Sequence, residues 1–308
     1  MKLQKMSIIT DEKLRRKSLQ DIEGETDLLQ KAAKIRYFAQ QCRVDVFEML
    51  YKRGNGHWGG SASVAEILST LYLHFLKTYP ENPKNPDRDR LILSKGHAAP
   101  MLYNILAKKG FFPMEELSTF RELNSILQGH PCMNKTQGVD ISSGPLGHGI
   151  SVGLGMALAA RLQKKDYWTF VIVGEGCLNE GQSWEGIMAA AKFTPPRLVI
   201  MVDYNKVQLD GPCSDIMPLD PLSDKFKAFN INVAEKVYDG HDVLDIMKSL
   251  DWAKENQKNP SAIIYKTHKG KGVSFMEDNY KWHGSTIDDE SYTRGKGELI
   301  ETLMKLKI

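Results

Sequence analysis

The run TFVIVGEGCLNEGQSWEGIMAA, residues 169–190, begins as apolar strand-forming sequence and ends as helix-forming sequence, with a Gly174-Glu175-Gly176 turn between them. A strand-to-helix turn offers backbone N–H groups and the positive end of a helix, which suits a phosphate. A carboxylate in that turn would repel one. A second apolar run, residues 198–202, leads into DYNKVQLDG, so Asn205 follows one strand as Glu175 follows another. A carboxylate, an amide oxygen and a backbone carbonyl are hard oxygen donors of the kind magnesium takes, its octahedron completed by phosphate and water. The acid is then joined to the anion through a cation, and the expected ligand is a metal–diphosphate. Taken singly, Glu175 and Asn205 also read as solvated turn residues.

Histidines form the second set of candidates. His57, His97, His130, His148 and His283 each stand beside glycine, as does His241. An imidazole titrates near pH 6.5 and so can move protons on and off hydroxyls at neutral pH. A lone histidine in a turn is ordinarily just a surface residue; five in one chain are harder to set aside. His74 reads as a packing or surface residue and His241 as a helix-start residue. His268 lies among Lys266, Lys269 and Lys271, which either meet a phosphate or are solvated.

The elements that must position these groups alternate. Strand-like runs fall at 91–94, 169–173, 198–202, 231–237 and 262–266, with helical stretches at 148–163, 180–192 and 241–257. Apolar runs without polar alternation suit strands covered on both faces. The expected fold is α/β, a doubly wound and mostly parallel sheet with helices on both faces, with ligands beyond the carboxyl ends of the strands. Residues 1–53 read as a charged helical extension broken at Gly24, 54–290 as the ligand-binding domain and 291–308 as a terminal helix. After GNGHWGGSAS a helix is expected, with Val64, Ile67, Leu68, Leu71, Tyr72 and Phe75 on one face and Ser61 or Ser63 as its cap. Pro100 falls in the first turn of the helix that follows SKGH.

Composition narrows the class. The balance of 41 basic and 38 acidic residues, net +3, gives no reason to expect nucleic acid or an anionic membrane as partner. Four scattered cysteines without a Cys-x-x-Cys pair suggest reduced thiols and a cytoplasmic setting. Uninterrupted apolar sequence stays below the roughly 18 residues of a membrane span.

Five ordered motifs, GHWGGSAS, LSKGHAAPMLY, QGHP, SSGPLGHGIS and GEGCLNEGQSWEG followed by DYNKVQLDG, resemble the N-terminal, thiamine-diphosphate-binding part of transketolase from roughly residue 30 to 290. The resemblance implies the cofactor's diphosphate-binding fold. It places His97, the backbone at Gly144, Pro145 and Leu146, and Gly176 against the cofactor. Mg²⁺ would be held by Glu175, Asn205 and the Val207 carbonyl. His57 and His130 would face substrate, with His283 near both diphosphate and substrate. Glu180 and Glu185 resemble acids at the family's subunit interface.

The chain departs from the family in three places. Trp58 replaces a proline, His148 stands where Gln is frequent, and Glu175 replaces the usual Asp. The extra methylene moves the carboxylate by about 1–1.5 Å, which calls for backbone adjustment, weaker binding, or a larger ion such as Mn²⁺ or Ca²⁺. A full transketolase carries a pyrimidine-binding domain and a C-terminal domain as well. The expectation is therefore the N-terminal subunit of a two-chain transketolase, moving a two-carbon ketol unit between sugar phosphates. Its partner would be a C-terminal subunit, and it would self-associate in a heterotetramer through the small-residue helix 148–163. A relative using a sulfonated or branched sugar, or making dihydroxyacetone, would share every motif; a non-catalytic regulatory partner is the reading from another class.

Overall fold

A computed structural model describes residues 12–306. Six strands form one wholly parallel sheet: β1 (Arg90–Leu93), β2 (Thr169–Gly174), β3 (Leu198–Tyr204), β4 (Asn232–Val233), β5 (Tyr238–Asp239) and β6 (Ser261–Lys266). Their order is β1-β2-β3-β6-β4, with β5 pairing further along β6. Successive side chains on a strand face opposite ways, and here both faces are buried. Leu91, Leu93, Phe170, Ile172, Val199, Met201, Ile263 and Tyr265 join one core. Ile92, Val171, Val173, Leu198, Ile200, Val202, Ala262 and Ile264 join the other. This is why the strands carry no polar alternation, and it gives the doubly wound α/β architecture expected from the sequence.

The first core is closed by helices Leu28–Arg53, Ala65–Thr70, Ala99–Lys109, Val243–Glu255 and Asp289–Lys305. The second is closed by His148–Leu162, Gly181–Phe193 and Leu222–Ala228. Asp27 caps the long helix by accepting from the Gln30 N–H at 2.9 Å, and Gly54 ends it in a left-handed turn with φ +75°. Gly153 lets the helix His148–Leu162 lie directly on the sheet, since a Cβ there would come within 2.3 Å of Val171 Cγ2. Gly155 faces open space. The small residues of this helix thus serve its own sheet in part.

Two local expectations are corrected. The helix expected after GNGHWGGSAS starts earlier, at Trp58–Ser63, kinks at Val64, resumes over Ala65–Thr70 and ends in a π-helical turn, Leu71–Phe75. His57, not Ser61 or Ser63, precedes its first residue. Ser61 bonds back to the His57 carbonyl at 2.7 Å, and the Ser63 hydroxyl is used in tertiary structure. The run 231–237 is not one strand: β4 stops at Val233, and the chain bends through Glu235 and Lys236 before β5. Lys236 there pairs with Asp245 at 2.6 Å, which draws the bend off the sheet edge.

Candidate active site

The register aligns the carboxyl ends of β2, β3 and β6, with Gly174 opposite Asp203 and Asp203 opposite Tyr265. The chain continues past these ends into Glu175, Asn205 and Thr267, at the edge where ligands bind in such sheets. A cavity of about 270 Å³ opens there. Four histidines from four segments meet on one wall: His57 before the helix Trp58–Ser63, His97 in the turn after β1, His130 in a loop, and His283 after the turn Tyr280–Trp282. Ring centroids lie 5.6 Å apart for His57–His97, 5.9 Å for His57–His130, 5.4 Å for His57–His283 and 5.0 Å for His97–His283. Gly60 makes room for this wall, since a Cβ there would come within 2.7 Å of His97 Nε2.

Burial, with the positive charges of Lys95, Lys269 and Arg121 nearby, pushes these imidazoles below their ordinary range: His57 to about 4, His283 to about 3, His97 well down and His130 down. They are neutral at pH 7, able to accept or donate.

Opposite lies an oxygen-rich floor. Glu175 is buried, accepts from the Lys206 N–H and contacts the Cys213 thiol. No cationic side chain among the described residues pairs with it, and burial pushes its carboxyl up to about 7. Asn205 donates from Nδ2 to Asp203 at 3.1 Å, while its Oδ1 accepts from the Val207 N–H at 3.1 Å. The Lys269 ammonium bonds the carbonyls of Val207 at 3.0 Å and Gln208 at 2.7 Å, and burial pulls its pKa down to about 7.

A buried carboxyl without a cationic partner, beside an amide oxygen and a backbone carbonyl, suits a divalent ion. Among the described residues no three His, Cys, Asp or Glu side chains gather as a metal cage. The remaining ligands would therefore come from the diphosphate and water. Glu175 accommodates its extra methylene by reaching across to the loop that carries Lys206 and Cys213.

Of the other expected residues, Gly144, Leu146 and Gly176 line the cavity, whereas Pro145 is exposed and does not. His148 is exposed and bonds the Leu146 carbonyl at 3.3 Å. His241 precedes its helix's cap, Asp242, and is built into the interior, bonded to Glu66 at 3.0 Å and accepting from the His268 N–H at 2.9 Å. His268 pairs with Asp278 at 2.7 Å.

Sequence reasoning did not assign Lys95 or Asp203, and left Lys269 open between phosphate and solvent. Lys269 is 3 % exposed and lines the cavity. Its glycine-flanked KGKG setting was the available signal; Lys95 lay unremarked inside the SKGH motif.

Residues 35–299 match the family described as transketolase, thiamine diphosphate binding domain. The chain belongs to the transketolase family. The 6-deoxy-6-sulfo-D-fructose transketolase subunit SqwG of Clostridium sp. (strain MSTE9) is 40 % identical over 265 residues, 86 % of this chain and 96 % of that protein. An apulose-4-phosphate transketolase subunit from Phocaeicola vulgatus is 37 % identical over 269 residues, 87 % of this chain and 95 % of that protein. Human transketolase is 34 % identical over 259 residues, 84 % of this chain but 41 % of that protein. The crystal structure of Campylobacter jejuni transketolase superposes with a TM-score of 0.79 at 29 % identity, covering 92 % of this chain and 46 % of that one. This transketolase-type transferase chain thus corresponds to the N-terminal, thiamine-diphosphate-binding part of the single-chain enzymes and to nearly the whole of the subunits named in the two-chain relatives. No helix among its described residues is long and apolar enough to cross a membrane.

Proposed function

We propose that this chain holds the diphosphate end of thiamine diphosphate through Mg²⁺ and works in the cytoplasm as one subunit of a hetero-oligomer, transferring a two-carbon ketol unit from a ketose phosphate to an aldose phosphate. The observation that carries this is the meeting of four neutral imidazoles with Glu175, Asn205 and the Val207 carbonyl in one cavity. Glu175, Asn205 and Val207 would hold the cation; Gly144, Leu146, Gly176 and His97 would border the cofactor. When bound, the cofactor supplies the carbon nucleophile. His57, His130 and His283, neutral and close together, would accept and return the hydroxyl protons of the sugar. Lys269 would exchange backbone carbonyls for the diphosphate's negative charge.

The proposed partner is a C-terminal transketolase subunit with the pyrimidine-binding domain, the two chains pairing as a heterotetramer. Residues 54–290 form the binding unit in this reading, between the flanks 1–53 and 291–308, and the helices Leu28–Arg53 and Asp289–Lys305 pack on its core. A second reading for the sugar comes from the two relatives, whose names give sulfofructose and apulose phosphate as substrates. A sulfonated or branched ketose would place the same demands on the cavity.

Calorimetry of thiamine diphosphate with Mg²⁺, with and without the partner subunit, tests the reading. Metal-dependent uptake is expected, and His57→Ala in the assembled enzyme is expected to cut turnover about 10²-fold while leaving uptake intact. No binding in either condition points instead to a non-catalytic regulatory partner.

A further inference from the structure

We propose that Asp203, a carboxylate lying beneath the cavity, is a positioning residue that turns the Asn205 carboxamide oxygen-first towards the cation and so sets metal-dependent cofactor affinity. This rests on the reading of Asn205 as a metal ligand. Asp203 is 0 % exposed, at the end of β3. Its Oδ2 accepts from Ser63 Oγ at 2.7 Å, from Asn205 Nδ2 at 3.1 Å and from the Lys95 ammonium; Oδ1 accepts from Thr267 Oγ1. Lys95 also bonds Ser63 at 3.2 Å. An ionised carboxylate has about four acceptor sites and no proton to give. Here four donors, from the segment carrying His57, the turn carrying His97, the β3 end and the β6 end, converge on it, three on Oδ2 and one on Oδ1.

The carboxamide of Asn205 has two orientations of almost equal shape. With oxygen towards Asp203, two acceptors would face each other, and Nδ2 would face the Val207 N–H, donor against donor. Both clashes vanish only with nitrogen towards Asp203 and oxygen towards Val207, which leaves the second lone pair of Oδ1 for the cavity. The acceptor-only character of Asp203 is what breaks the symmetry. An amide at 203 can donate as well as accept, and Asn205 then has no fixed orientation from that side. The Lys95 ammonium meets the same carboxylate as an ion pair.

The test uses the full chain with its partner subunit, titrated calorimetrically with thiamine diphosphate and with Mn²⁺ as the probe cation, free Mn²⁺ being followed by its paramagnetic resonance signal. Asp203→Asn and Asn205→Asp are each expected to weaken metal-dependent binding by about 10–100-fold. The double variant Asp203→Asn/Asn205→Asp exchanges donor and acceptor at constant net charge, so the amide at 203 now bonds the carboxylate at 205. It is expected to recover at least about tenfold over either single variant, a coupling that a general structural role does not give.

A folded Asp203→Asn protein with wild-type affinity, or a double variant no tighter than the singles, overturns the proposal while the function stands. Wild-type protein that takes up neither cofactor nor Mn²⁺ overturns both. Where Asp203→Asn does not fold, the wild-type side chain is read by ¹⁵N resonance. The Asn205 Nδ2 protons, identified by their loss in Asn205→Asp, are expected to exchange at least about tenfold more slowly than those of exposed Asn55. Equal exchange rates overturn the proposal.

Discussion

At the wall of the cavity, His57 and His283 each keep a buried Nδ1 without a partner. At the floor, the carboxylate of Asp203 is bonded by four donors. The two regions are a few residues apart in sequence, since Trp58–Ser63 joins His57 to Ser63, and they solve burial in opposite ways. The wall gives up charge: its imidazoles are held neutral, and they line the space a ligand would fill. Beneath the floor Asp203 keeps its charge, compensated by Lys95 and by three further donors. A site that binds an anion through a cation needs this division, because the floor must hold its geometry before the ligand arrives, while the wall must still have bonds to offer.

The sharpest way to break the contrast is to remove the floor's cation. Lys95→Met leaves Asp203 buried without its ion-pair partner, and such losses cost about 3–5 kcal/mol. Urea unfolding of the apo chain should show it as a fall in midpoint at constant slope. A cost below about 1 kcal/mol would mean that the floor is not organised around the pair.

Between pH 6.5 and 4 the wall should answer to pH where the Asp203 carboxylate, held below its ordinary range by Lys95, does not, while Glu175, pushed up to about 7, contributes in the opposite sense. His57 and His283 have folded pKa values of about 4 and 3, below the ordinary 6.5. The unfolded chain therefore binds more protons than the folded one between those values and 6.5, and stability falls as pH drops through that window. Both rings are partly exposed, so after screening the loss is about 1–2 kcal/mol. His57→Asn/His283→Asn should flatten that part of the acid limb, measured as unfolding midpoint at pH 8, 6 and 5. An unchanged slope in the double histidine variant removes the account of the wall.

This same division decides what the sequence could tell. Strands buried on both faces announce themselves as unbroken apolar runs, and the ends of β2 and β3 are where glycine, Glu175 and Asn205 fall, so the fold and the meeting of these residues at one cavity were legible. The histidines were legible because each stands in a glycine turn. The floor was not. Lys95 and Asp203 lie 108 residues apart, and their meeting depends on β1, β2 and β3 being neighbours in register. Read alone, each is an ordinary charged residue at a strand end. The start of the helix at Trp58 was missed for a related reason: GNGHWGGSAS has the composition of a loop, and tertiary burial of Trp58 through Ser63 overrides it.

Trp58 gives the smallest effect and the finest probe of what lies behind the wall. It is 1 % exposed and meets the Phe47 ring edge-on at 4.9 Å and 70°, while its Nε1 is buried without a partner. It is the first residue of its helix, a position whose N–H needs no helical acceptor, which is why the family's proline can occupy the same backbone. Phenylalanine would remove the orphaned N–H, a gain of about 1–3 kcal/mol if that donor is fully desolvated. It would also surrender packing and leave a void costing a similar amount. The two nearly cancel, so Trp58→Phe should shift unfolding free energy by less than about 1 kcal/mol in either direction. A loss well above that, with His57 and His97 resonances displaced, would show that the indole volume itself sets the position of the wall. The imidazoles would then owe their spacing to packing from behind rather than to the turns that carry them.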